Sequence, residues 1–416
     1  MKIGDVNFIK DFEVVRQIGS GSFSNVFLCK KDNIMDEIDD TDDLFIIKEI
    51  NTHELVKKYM VKHREYRFKR REAVKVEIPL SKVLLDGKVT PYQKNVLVNT
   101  EQEYYYKKLH DLTYSEIEIL TSFDDKNIVK FYTWDKTEGI FYLRMEYCDG
   151  GDVYEYLKQN GSDFQFDKQK YNFLLEFCKQ VSRGLEYIHE KNIIHRDIKL
   201  QNVLINYKNN KVEFKISDFG FACYDLSDTE ASLNYDKDKD IICKKYYKLC
   251  GTPYYMAPEI VININNHKKQ GLYCYNKLVD TWSFGICIYE LVFGGFPFAN
   301  SGSLEELKAF YESEDVQETI DLKITRREII TEQFKELILG MLRVCNNKRY
   351  SIHNISINFN QLKSIYVERD LEKEIADIIN SEENAYNMTS NMKDIKHQFL
   401  TESEGLNHVE MSWQYV

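Results

Sequence analysis

Eight consecutive residues, His195-Arg196-Asp197-Ile198-Lys199-Leu200-Gln201-Asn202, are followed after a short strand-like run by Asp218-Phe219-Gly220. Two carboxylates, an amide and a lysine therefore stand at fixed spacing between apolar segments. That is the set needed to hold a hydroxyl nucleophile beside a magnesium nucleotide. A lone Asp or Asn in a loop is ordinarily a turn residue. The full run, with a second carboxylate motif at loop-to-strand distance, makes that ordinary reading a poor one here.

Such residues act only if a scaffold positions them, and the rest of the chain supplies one. Phe12 to Ile18 and Val26 to Lys30 are short β-favouring runs joined by Gly19-Ser20-Gly21-Ser22-Phe23-Ser24-Asn25, a pattern that predicts a hairpin. A dinucleotide-binding reading of these glycines needs a helix after them, whereas the continuation is β-branched and aromatic. Leu44 to Ile50 is a third predicted strand and contains Lys48. A long stretch, about 51–108, separates it from the next predicted helix at Leu112 to Phe123. From Val153 onward the pattern is helical, and Tyr171 to Ile188 sets Phe173, Leu174, Phe177, Val181, Leu185 and Ile188 on one face. A β-rich beginning and a helical remainder predict an α+β, two-lobed molecule.

Composition narrows the function classes. A net charge of -11 and a pI of about 5.5 give no global attraction to nucleic acid or to an anionic membrane. The nine cysteines are scattered, without Cys-x-x-Cys or zinc spacing, and read as reduced thiols of a cytoplasmic protein. The first fifteen residues lack the apolar core of a signal peptide. No uncharged apolar run approaches the roughly 18 residues of a membrane span. Lys57 to Lys75 is dense in Lys and Arg. A charge run is usually a solvated segment, and its functional alternative is a docking arm for an acidic partner, RNA or a membrane surface. Leu85-Asp86-Gly87-Lys88 reads as a turn within the same insertion.

Together these motifs resemble the eukaryotic protein kinase family, of the serine/threonine type, with the family's segments in order across about residues 8–366. The resemblance implies a β-rich N-lobe at about 8–147, a mainly helical C-lobe at about 148–366, and an acidic, helix-prone extension over 367–416. It implies transfer of the ATP γ-phosphoryl group to protein hydroxyls. Asp197 would be the catalytic base, Lys199 would meet charge on the phosphoryl group, and Asn202 and Asp218 would hold Mg2+. Lys48 would grip the phosphates and pair with Glu116 of Glu116-Ile117-Glu118-Ile119-Leu120, leaving Glu118 turned away by roughly 200°. Ile18, Gly19, Ser20 and Gly21 would lie over the nucleotide, with Ser24 in place of a third glycine. Val26, Ile46 and Leu204 would enclose the base, and Ile46, larger than usual there, would narrow the pocket. Met145 matches the gatekeeper, the backbone of Glu146 and Cys148 would meet the adenine edge, and Asp152 would meet the ribose or cap the helix starting at Val153. Glu259 with Arg349, and Asp280, match the family's scaffold anchors.

More narrowly, Met145-Glu146-Tyr147-Cys148, Lys199-Leu200-Gln201-Asn202, Asp218-Phe219-Gly220-Phe221-Ala222 and Leu249-Cys250-Gly251 resemble the autophagy-initiating branch. Leu200 replaces the usual proline, and Lys248 stands where that branch carries a phosphorylatable threonine. A lysine cannot answer Arg196, so Ser227, Thr229, Ser232, Tyr246 or Tyr247 after phosphorylation, or Asp236, Asp238 and Asp240 without it, are candidates to supply the anion. Trp413-Gln414-Tyr415-Val416 resembles a motif that adds a strand to ubiquitin-like modifiers, against the simpler reading of a tail packed on the C-lobe. Ser24, Ile46 and the distance of Glu116 from Lys48 favour a rival reading, a partner-binding pseudokinase. Intact Lys48, Asp197, Asn202 and Asp218 favour an active enzyme.

Overall fold

The computed structural model describes residues 12–20, 24–31, 44–58, 60, 91–160, 168–225, 251–263, 276–298, 303–326 and 330–363. The basic run beyond Lys58, the turn at Leu85 to Lys88, Gly21, the candidate anions between Ser227 and Lys248, and the C-terminal extension lie outside the described residues.

Five antiparallel strands, β1 (Phe12–Ser20), β2 (Asn25–Lys31), β3 (Leu44–Asn51), β4 (Phe131–Thr137) and β5 (Ile140–Glu146), form one sheet in the order β1-β2-β3-β5-β4. Ser20 pairs with Asn25 and Gly19 with Val26, so the glycine-containing segment does close a hairpin. Alternation along β3 decides what faces the cleft. Phe45 and Ile47 enter a small outer cluster with Phe12, Phe27 and Tyr142, while Ile46 and Ile50 join the main core. Lys48, two residues from each of them, shares their face. Across the ladder Ile46 faces Met145 and Lys48 faces Leu143.

Between β3 and β4 lie a helical turn at 52–58 and α1 (Pro91–Thr121). This helix starts 21 positions before the predicted Leu112, because the apolar periodicity that predicted it covers only its last turns. Beyond Thr121 the chain leaves the helix, ahead of the predicted Phe123. The predicted insertion of about 51–108 thus carries helix at both ends.

The second lobe opens with α2 (Val153–Asn160) and α3 (Lys168–Glu190). Leu174, Phe177, Val181, Leu185 and Ile188 of α3 are buried as its periodicity predicts, and Phe173 is partly buried. Two short ladders frame the chemistry-bearing loops: β6 (Ile193–Ile194) pairs with β9 (Cys223–Tyr224), and β7 (Val203–Lys208) with β8 (Lys211–Ile216). Then come α4 (Pro258–Ile262), α5 (Leu278–Phe293), α6 (Leu304–Tyr311), α7 (Val316–Thr325), α8 (Glu332–Met341) and α9 (Ile352–Gln361). Every residue of α5 from Val279 to Leu291 is buried, the pattern of a helix enclosed on all sides rather than amphipathic. Ser303, Thr331 and Ser351 each accept a backbone N–H from the first turn of α6, α8 and α9, each cap contributing about 1 kcal/mol. The result is a β-rich lobe with one main helix and a helical lobe, the α+β architecture that the sequence pattern predicts.

Candidate active site

Asp197, Lys199 and Asn202 sit in the loop between β6 and β7, and α5 anchors that loop from below. The Asp280 carboxylate, fully buried near the start of α5, accepts the backbone N–H of His195 at 2.8 Å and of Arg196 at 2.8 Å, and the His189 ring at 2.9 Å. Burial opposes ionisation of Asp280, yet these donors outweigh it and hold its pKa below the ordinary value. Two residues of the site adopt positive φ without being glycine, Arg196 at 69° and Asp218 at 61°. Such backbone costs of order 1–3 kcal/mol and persists only where surroundings over-determine it, as the Asp280 clamp does for Arg196.

Three groups converge on the Asp197 carboxylate. Lys199 Nζ lies 2.8 Å from Oδ2, Asn202 Nδ2 donates to Oδ2 at 3.1 Å, and the Thr252 N–H donates to Oδ1 at 2.9 Å. The Thr252 hydroxyl is 3.0 Å from Oδ1 and also accepts from Lys199 Nζ at 2.9 Å. Thr252 thereby fastens the stretch that leads into α4 to the loop between β6 and β7. Its neighbour Gly251 explains how: at φ 104° a Cβ there would stand 2.5 Å from the Arg196 carbonyl, so only glycine lets the two backbones meet. Nothing in the sequence points to this contact between Thr252 and Asp197 beyond the glycine before it. The signal was the position directly after Gly251, which a close backbone approach would single out.

The second cluster spans three elements. Lys48 Nζ of β3 reaches Glu116 Oε1 of α1 at 2.7 Å and Asp218 Oδ1 at 2.9 Å. Glu116 is therefore the carboxylate that meets Lys48, and Glu118 faces elsewhere, accepting the Tyr224 hydroxyl of β9 at 3.2 Å. Burial alone would lower the Lys48 pKa, but Asp218 and Glu116 overcome it and hold it above the ordinary lysine value. Burial raises the Glu116 pKa against the pull of Lys48, whereas the Lys48 ammonium lowers Asp218 to about 2. Asp218 is thus ionised throughout the working pH range. Its side chain keeps 47% of its surface exposed, so it remains open to the cleft.

The donor chemistry here fits magnesium. Both Asn202 Nδ2 donors are used, on the Asp197 carbonyl at 2.8 Å and on its carboxylate, which leaves the amide oxygen as acceptor beside ionised, half-exposed Asp218. Magnesium takes one or two such oxygens and completes its shell with phosphates and water. Among the described residues no group of three or more His, Cys, Asp or Glu forms a metal cage.

Around the cleft Met145 and Cys148 are buried, Ile46 packs partly against the core, and Asp152 forms a bridge with Leu204. Asp152 Oδ1 accepts the Glu155 N–H at 2.9 Å, which makes it the N-cap of α2. Ile18, Gly19 and Ser20 lie on β1 and Val26 on β2. Glu146 contributes its carboxylate to Lys215 at 3.1 Å, pinning the segment between the lobes. Arg196 Nε donates to the Phe221 carbonyl at 2.5 Å.

The protein kinase domain family matches residues 92–358, more than half of the chain. The first three strands and Lys48 precede that match and join it through the sheet and the Lys48–Glu116 pair. Among curated proteins the chain is 31% identical over 242 residues to the human serine/threonine-protein kinase ULK1, covering 57% of this chain and 20% of that protein. It is 34% identical over 198 residues to Arabidopsis thaliana serine/threonine-protein kinase ATG1a, covering 48% and 27%. It is 33% identical over 252 residues to Dictyostelium discoideum serine/threonine-protein kinase atg1, covering 59% and 31%. The matches thus span less than a third of these relatives' own length. Among the described residues no helix is long and apolar enough to cross a membrane. With the family matched over residues 92–358, and the first three strands built onto it in the family's order, the chain belongs to the protein kinases.

Proposed function

We propose that this chain transfers the γ-phosphoryl group of magnesium ATP to serine and threonine hydroxyls of protein substrates. The observation that carries the reading is the closed constellation: Lys48 on Glu116 and Asp218, and Asp197 held by Lys199, Asn202 and Thr252. Lys48 binds the phosphates, and Glu116 keeps its ammonium aimed at them. Asp197 accepts or orients the acceptor proton, with Thr252 and Asn202 fixing the carboxylate so that little reorganisation is needed. Lys199 meets negative charge on the moving phosphoryl oxygens. Asn202 and Asp218 would hold Mg2+, which when bound neutralises phosphate charge. Ile18, Gly19 and Ser20 cover the nucleotide. Val26, Ile46, Met145 and Leu204 enclose the base, whose edge meets the backbone of Glu146 and Cys148, while Asp152 lies at the ribose end.

Radiolabel transfer from ATP to the chain itself and to a generic basic protein tests the reading. Wild-type protein is expected to label both, and Asp197→Asn to lose about 100-fold or more, the usual contribution of a positioned general base. Equal labelling by the two proteins, or none by either across magnesium and manganese, would favour the scaffold reading.

A further inference from the structure

Something besides Lys48 must hold the helix that carries Glu116, because one ion pair leaves a helix free to pivot about it. The helical turn at 52–58, which begins four positions after Lys48, touches α1 through Thr52 on His110 and His53 on Tyr106. Leu55 and Val56 are buried in the same apolar cluster as Leu109 and Ile117 of α1. Thr52 is fully buried, and its N–H donates at 3.2 Å to the Gly139 carbonyl in the turn between β4 and β5. Its hydroxyl donates to the same carbonyl in a short bond and lies 3.4 Å from His110 Nε2. On the other side of that ring, Lys136 Nζ is 3.3 Å from Nδ1.

Donor logic orders this chain. An ammonium only donates, so Nδ1 accepts from Lys136, Nε2 carries the ring proton toward Thr52, and the Thr52 proton goes to Gly139. Burial, then Lys136, holds the His110 pKa below its usual value, which keeps the ring in the neutral form the chain requires. One turn earlier Tyr106 packs against the His53 ring at 4.7 Å, edge to face. Two bridges therefore join the same two stretches of chain: Lys48 with Glu116, and Thr52 with His110. Six residues, about 9 Å of helix axis, separate them on α1. Two points of attachment fix the rotation of a helix where one does not.

We propose that Thr52 and His110 are positioning residues of the phosphoryl-transfer site, fixing the rotation and depth of α1 at which Glu116 reaches Lys48. The inference rests on the kinase reading for its effect on rate, though not for its effect on α1.

Two readouts on the full chain test it, steady-state phosphorylation of a generic basic protein and hydrogen exchange of the amides from Leu109 to Glu118. Thr52→Val is expected to lower kcat about tenfold, the scale of one lost buried hydrogen bond, with Thr52→Ser restoring it to within about twofold. In a Glu116→Gln background Thr52→Val should add less than about twofold, because residues acting through one another are not additive. Exchange over α1 should quicken about tenfold while α5 stays protected. Full multiplication of the two losses, no rescue by serine, or wild-type kcat and exchange in Thr52→Val would overturn the proposal. His110→Phe, which keeps the ring, must reproduce Thr52→Val and stands in for it if that variant does not fold. If wild-type protein transfers no more phosphate than Asp197→Asn, the kinase reading falls, while the exchange result still decides whether this chain fixes α1.

Discussion

Arg349 and Lys48 each close on a glutamate at 2.7 Å, yet their surroundings differ in every respect that matters. Arg349 meets both oxygens of Glu259, at 2.7 and 2.9 Å, and spends its remaining donors on the carbonyls of Arg343, Leu278 and Val344. Its guanidinium lies 5.1 Å from the centre of the Trp282 ring, with none of the side chain exposed. Every one of those partners belongs to the helical lobe. Lys48 instead divides one ammonium between Glu116 and Asp218, on elements 68 and 170 positions away, the second of them half open to the cleft. A buried pair satisfied on all sides is a scaffold that costs much to break and gains nothing by moving. A shared ammonium facing an open carboxylate can release one partner for a phosphate without leaving a charge unpaired.

Lys48→Met breaks the working pair and carries the largest expected effect. Turnover should fall by a factor on the order of 100 to 1000, equivalent to roughly 3–4 kcal/mol of transition-state stabilisation. The melting temperature should drop only modestly, because Glu116 already has a raised pKa and can take a proton, while Asp218 reaches solvent. Steady-state kinetics beside a thermal melt checks both halves. Wild-type turnover would detach Lys48 from the chemistry.

Arg349→Lys tests the other half and should invert the result. A lysine cannot span both Glu259 oxygens or reach the carbonyls of a fork, so the variant leaves buried acceptors unpaired and should lose about 2–4 kcal/mol. Activity per folded molecule should remain near wild type at low temperature. Urea unfolding followed by assay of the folded fraction checks it, and a large loss of turnover in fully folded protein would make this pair part of the site.

The same contrast explains what the sequence revealed. Asp197, Lys199, Asn202 and Asp218 were legible because their chemistry demands fixed spacing within short loops, the hairpin because β-favouring runs flank a glycine-containing turn, and α3 because apolar periodicity records burial directly. Glu116 was legible only through the Ile-Leu pair that follows its segment, since nothing in composition joins it to Lys48 across the insertion. The early start of α1 left no comparable mark, as its first turns lack the apolar stripe that identified its end. Thr52, His110, Lys136 and Thr252 act through polar contacts between segments far apart in the chain, and a small hydroxyl or an imidazole carries no periodic signal.

A third buried carboxylate pairs with no cation among the described residues and gives the smallest effect. Glu290, near the end of α5, has its carboxylate bonded by the Tyr255 hydroxyl at 2.5 Å, and burial pushes its pKa up to about 7 despite that donor. An acid whose folded pKa is raised binds its proton more tightly folded than unfolded. Its contribution is complete below the unfolded value near 4.5 and is lost as pH rises through about 7. Glu290→Gln keeps the shape and an oxygen for Tyr255 but cannot ionise. The variant should match wild type near pH 4, gain on it by about 1 kcal/mol near pH 5, and lead by roughly 3 kcal/mol from about neutrality upward. Melts of the pair across that range read the difference directly. A variant less stable than wild type at high pH would mean that Glu290, like Glu259, answers a positive charge, and would move it from the unpaired class to the paired one.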